Sequence, residues 1–134
     1  MRLIVTGLDA NGFSCVEHDE NRPPKQEGVA VMWKTALTPT LGASISIAEL
    51  NKKIVKGEAK WLVWTTGPGV SGKFHQTDSV DYGIVLAGEI DLILENADVR
   101  LMPGDCVVVT GVLHNWRAGP KGCTMSVVML GSES

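Results

Sequence analysis

Three residues of this 134-residue chain have the donor chemistry that a divalent metal uses: His75, Asp81 and His114. Two imidazoles and one carboxylate bind such an ion while leaving coordination positions open for substrate. His75 and Asp81 share the segment His75-Gln76-Thr77-Asp78-Ser79-Val80-Asp81, and His114 ends the stretch that begins at Pro103-Gly104-Asp105. Side chains two residues apart on a strand share a face. His75, Thr77, Asp81, Gly83 and Val85 therefore have one parity, and Asp81 rather than Asp78 is the expected inward carboxylate. Val80, Tyr82, Ile84 and Leu86 then face another sheet or solvent. Asp81 doubles as the candidate catalytic residue, a group able to move a proton.

Four further residues are pocket candidates. Trp64 and Trp116 could wall a cavity, although tryptophan is more often core or interface material. Thr77 could contribute a weak hydroxyl ligand, hold a metal-bound water or simply line the pocket. Lys73 has the parity of His75 and could meet an anionic substrate, against the plainer expectation of a lysine leaving the sheet for solvent.

The elements that must position these residues are strands. From Lys60 onward, short β-prone runs are separated by turn residues at Gly67-Pro68-Gly69, Gly88-Glu89, Glu95 to Asp98, Pro103-Gly104-Asp105 and Gly119-Pro120. That spacing predicts a sandwich or barrel. Upstream, Arg2 to Thr6, Phe13 to Glu17 and Val29 to Trp33 read as strands of an N-terminal arm, with a Pro23-Pro24 loop between Asn21 and Gln26. Ser46 to Lys56 reads as one short helix: Ile47, Leu50 and Ile54 share a face, Ser46 and Glu49 resemble a capping box, and Gly57 can end it. The expected division is an arm and short helix over residues 1–58 and a barrel over 59–134, within a single structural domain. The arm is also where a homodimer contact is expected.

Composition narrows the function classes. A net charge of -3 and a pI near 5.5 supply no basic field for nucleic acid or anionic lipid, so neither is expected as a partner. Lys52, Lys53, Lys56 and Lys60 are interleaved with Glu49 and Glu58, as on a solvated face. Cys15, Cys106 and Cys123 form neither a disulfide framework nor a zinc knuckle, and Cys106 reads as a small buried hydrophobe. With no apolar run long enough to cross a membrane, a soluble cytoplasmic protein is the expectation. Gly67-Pro68-Gly69-Val70-Ser71-Gly72 satisfies G-x-G-x-x-G, but Pro68 and the extended residues that follow do not open the helix a dinucleotide site needs.

The joint spacing resembles the cupin superfamily in its small single-domain form. The family's first motif is Gly, five residues, His-x-His, three or four residues, Glu, six residues, Gly. Here Gly69, His75-Gln76-Thr77, Asp81 and Gly88 occupy those positions. The second motif resembles Pro103-Gly104-Asp105 leading to Gly111-Val112-Leu113-His114, and the likeness covers roughly residues 60 to 130. Three positions depart from it. Thr77 stands where a second histidine is usual, Asp81 is one methylene shorter than glutamate, and Ala118 replaces an asparagine.

The resemblance implies an all-β fold, a double-stranded β-helix or jelly-roll barrel, with His75, Asp81 and His114 as metal ligands and Thr77 in the place of a lost imidazole. It implies one divalent ion, Fe, Mn, Zn or Ni, and a small-molecule substrate. The expected activity is a redox-neutral lyase, decarboxylase or isomerase on an oxygen-rich keto acid, hydroxy acid or enol. The alternatives are an Fe(II)-dependent dioxygenase and a non-catalytic ligand-binding barrel.

Overall fold

Long antiparallel strands dominate the chain, and the computed structural model describes residues 2–21, 25–39 and 47–131. Strands β1 (Arg2–Leu8) and β2 (Ser14–Asn21) form a two-stranded hairpin of their own. The main sheet contains β3 (Gly28–Ala36), β4 (Glu58–Thr66), β5 (Ser79–Leu94), β6 (Asp98–Leu101), β7 (Cys106–Val109) and β8 (His114–Gly131). Its order is β3-β4-β8-β5-β6, with β7 also paired to β5. Because β3 lies along β4, residues 28–36 of the arm contribute a strand to this sheet.

The sheet curls into a jelly-roll barrel because its two longest strands change partners along their length. The first half of β5 lies beside β7, with Asp81 opposite Val109, and its second half lies beside β6, with Ile90 opposite Leu101. β8 runs antiparallel to both halves, so His114 faces Leu94 at one end and Gly131 faces Ser79 at the other. Register shifts at Val85/Ala87 and Gly88/Ile90 mark the bend between the halves. Gly88 sits there with a φ of 72°, and a Cβ on it would collide with the Gly122 carbonyl oxygen.

Two expected turns are thus corrected. Gly88-Glu89 and Gly119-Pro120 lie inside β5 and β8, where glycine bends and bulges a continuing strand instead of ending it. The helix is corrected too, since α1 spans only Ile47–Leu50. Leu50 is buried and α1 meets β3, but β-branched Ile54 and Val55 and the lysines around them gain little from continuing a helix. Ser46 and Pro23-Pro24 fall outside the described residues.

Inside the barrel, Val85, Ile90, Leu92, Leu101, Val109, Cys123 and Met125 form the core, with Trp64 and Trp116 packed against it. Cys106 is exposed and not buried as expected, because the alternation of β7 turns Val107 and Val109 inward and Cys106 and Val108 outward. No described helix is long and apolar enough to cross a membrane.

Candidate functional site

His75 and His114 are brought together by backbone pairing. His75 lies in the extended segment before β5, and His114 is the first residue of β8. The His75 N–H donates to the His114 carbonyl at 2.9 Å, and the His114 N–H returns a bond of 3.0 Å. The ring centroids are 4.4 Å apart. Each Nδ1 lies 2.7 Å from a backbone carbonyl oxygen, that of Lys73 for His75 and that of Val112 for His114. A carbonyl only accepts, so each Nδ1 carries a proton, and in the neutral ring it is Nε2 that holds the lone pair. Backbone carbonyls therefore hold both rings in the tautomer that a metal ligand requires.

Asp81 lies on β5 between Val109 of β7 and Met129 of β8. The Ser79 hydroxyl donates to its Oδ1 at 2.6 Å. Burial pushes the Asp81 carboxyl above its ordinary value, and the Ser79 hydrogen bond and the charges of His114 and His75 pull the other way. Its chemistry completes a donor set for a divalent ion: two imidazole lone pairs and one carboxylate. Among the described residues, however, no three His, Cys, Asp or Glu side chains gather into a cluster able to hold an ion. The two histidines are paired with each other, and Asp81 shares the cavity lining with them.

Thr77 completes the polar end. Its Oγ1 is buried and meets no hydrogen-bond partner among the described residues. A buried hydroxyl without a partner is costly, so its presence in the same cavity lining as the histidines is consistent with a group supplied from outside the chain.

These four residues are the polar part of the lining of a cavity of about 240 Å³. The parity expectation is met on β5 by Asp81 and Gly83, which line it, while Tyr82, Ile84 and Leu86 are exposed on the opposite face. Val85 falls beyond the cavity, in the core. The remaining walls are Val29, Leu62 and Trp64 from β3 and β4, Val107 and Val109 from β7, and Trp116, Met125, Val127 and Met129 from β8. Trp64 and Trp116 meet edge to face with centroids 5.8 Å apart, and Trp116 makes a similar contact with His114. Lys73 is exposed and does not line the cavity; its carbonyl holds the His75 ring.

Sequence reasoning passed over Ser79 and the β8 wall. The alternation Met125, Val127, Met129 in an apolar strand was the available signal for that wall, and it needed only the facing assigned to Trp116 carried past the bulge. Ser79 has the same parity as Asp81, which could have marked it as a partner.

No family model matches the chain. A cupin-domain-containing oxidoreductase of Neurospora crassa is 39% identical over 124 residues, covering 84% of this chain and 63% of that protein. A phomopsin biosynthesis cluster protein of Diaporthe leptostromiformis is 47% identical over 51 residues, 37% of this chain and 27% of its own length. The chain thus spans less than two thirds of either relative. Among solved structures, a cupin superfamily protein of Desulfitobacterium hafniense superposes with a TM-score of 0.53 at 15% identity, covering 83% of this chain and 84% of that one. A Rhizobium leguminosarum protein of unknown function gives 0.56 at 18% identity, covering 81% and 84%.

Proposed function

We propose, from the premise that this chain is a cupin superfamily protein, that it is a metal-dependent enzyme acting on a small molecule through His75, Asp81 and His114. The observation that carries this reading is the histidine pair, both Nδ1 atoms bonded to backbone carbonyls and both Nε2 lone pairs left for a ligand. His75 and His114 would hold the ion through Nε2 and Asp81 through its carboxylate, and Thr77 supplies a hydroxyl beside them. A divalent ion bound there would supply Lewis acidity, stabilising negative charge that develops on a substrate oxygen.

The protein's own groups do the rest. Asp81, desolvated and held through Oδ1 by Ser79, has Oδ2 left to take a proton from the carbon beside that oxygen and return it elsewhere. This is redox-neutral isomerase or lyase chemistry. A second reading, oxidation with O₂ at an iron-loaded site, is favoured by the oxidoreductase names of the Neurospora crassa and Aspergillus ruber relatives. The β1–β2 hairpin, which exposes Ile4, Leu8 and Val16, belongs to the same proposal as the contact of a homodimer.

The test has two stages. Protein purified without chelators is assayed for bound metal, with about one equivalent expected in wild type and loss in His75→Ala. Loaded protein is then given a carbonyl probe in D₂O, and oxygen uptake is followed in parallel. Deuterium appearing beside the carbonyl without oxygen consumption is the result expected, whereas oxygen consumption without exchange selects the second reading. A wild-type chain that takes up no Fe, Mn, Zn or Ni would sink both.

A further inference from the structure

We propose that the cavity takes an uncharged, largely apolar ring compound carrying one oxygen at the His75–His114 end, and not a small oxygen-rich acid. This inference rests on reading that end as the reacting end. The lining carries four polar side chains, His75, Thr77, Asp81 and His114, of which the two histidines are in contact, and every other lining side chain is aliphatic, thioether or indole. A keto or hydroxy acid with oxygens along its length would turn most of them toward methyl groups of valine and methionine, stripped of water and without partners.

Among the described residues no arginine or lysine lines the cavity, and several are engaged elsewhere. Arg100 and Arg117 bind Asp91, Lys34 pairs with Glu58, and Lys60 donates to the Lys52 carbonyl. Lys73 is exposed outside the lining. The one acidic side chain of the lining is Asp81, which repels a second carboxylate. A site built for an anionic metabolite ordinarily carries an arginine or lysine for it.

Size and shape fit a flat ring. A volume of about 240 Å³ lies just under the range of roughly 300–1,000 Å³ that takes drug-sized ligands. The edge-to-face pair Trp64–Trp116 offers aromatic surface against which a ring can pack. The buried, unpartnered Thr77 hydroxyl is the hydrogen-bonding position for the ligand's oxygen. An apolar pocket with few placed polar groups takes its affinity from the walls and its orientation from those groups.

The experiment measures dissociation constants for 2-naphthol, naphthalene, 2-naphthoate and pyruvate by fluorescence titration of the full chain, metal-free and again after loading with Zn²⁺. The metal-free protein is expected to bind 2-naphthol at least tenfold more tightly than 2-naphthoate or pyruvate. Thr77→Val, which keeps the side chain's shape, should weaken 2-naphthol about fivefold and leave naphthalene unchanged. Equal or tighter binding of 2-naphthoate or pyruvate overturns the proposal, and an unchanged 2-naphthol constant in Thr77→Val overturns the role of the hydroxyl. Measuring without metal separates the two readings. A protein that prefers 2-naphthol but takes up no ion retains this inference and loses the metal centre, and one that loads an ion but prefers the acids does the reverse.

Discussion

Asp81 and Asp91 lie ten residues apart on the same strand and live in opposite surroundings. Asp91 accepts hydrogen bonds from Arg100 and Arg117, the latter at 3.0 Å, and these hold its carboxyl below the ordinary 3.8, chiefly through the Arg100 hydrogen bond. Asp81 has no cationic side chain bonded to it, only the Ser79 hydroxyl, and burial drives its carboxyl upward. Both are polar groups taken from water into one barrel. The first is compensated within the fold and contributes to stability, whereas the second is left under-compensated beside two imidazole lone pairs, the pattern of a group kept for a ligand.

Substitution at the histidines should separate the roles of the two aspartates most sharply. His114→Ala is expected to reduce metal affinity by more than 100-fold in equilibrium dialysis, since second-shell losses alone cost about 10–100-fold. The Asp91 cluster, although its Arg117 lies on β8 close to His114, is held by its own ion pairs and should still protect its amides in hydrogen exchange. Loss of that protection would mean His114 braces the whole barrel.

Asp91→Asn comes next. Removing the charge between two arginines that are themselves half exposed should cost roughly 1–2 kcal/mol in denaturant unfolding, discounted for solvent screening. The pH dependence follows from the depressed carboxyl. Its contribution is complete above the ordinary value of 3.8 and is lost as pH falls through the lower folded value, so wild type should lose stability across that acid range and Asp91→Asn should lose less. An equally steep acid loss in the variant would show that the ion pairs carry no weight. Asp81→Asn should move the other way, raising the melting temperature of the metal-free protein at neutral pH because a desolvated charge is removed.

The smallest effect concerns thiols and extends the same contrast to a second buried acid. Burial pushes the Cys123 thiol up to about 11, while Cys106 is exposed. Alkylation of the native protein at pH 8, followed by mass spectrometry, should modify Cys106 well before Cys123. The reverse order would contradict the placement of β7.

Much of this was legible before any coordinates. A sandwich or barrel and the shared parity of His75, Thr77 and Asp81 follow from strand alternation and turn spacing, which act locally, whereas the approach of His114 to His75 is long-range and was implied by the cupin resemblance. The bends were not legible. A glycine inside a strand and one ending it look the same in sequence, and only the collision awaiting a Cβ at Gly88 tells them apart. The failure at Cys106 has a related origin, since a strand of four residues between turns carries no sign of which face is inside. The Asp91–Arg100–Arg117 cluster draws its members from three strands, and a pattern read along one strand at a time does not reveal it.

Metal uptake by paired variants tests the account most directly. Wild type, Asp81→Asn and Asp91→Asn are each dialysed against Zn²⁺ and Mn²⁺, and bound metal is measured per chain. The account predicts about one equivalent in wild type and in Asp91→Asn, with affinity at least tenfold weaker in Asp81→Asn. Full occupancy in Asp81→Asn at wild-type affinity would contradict it.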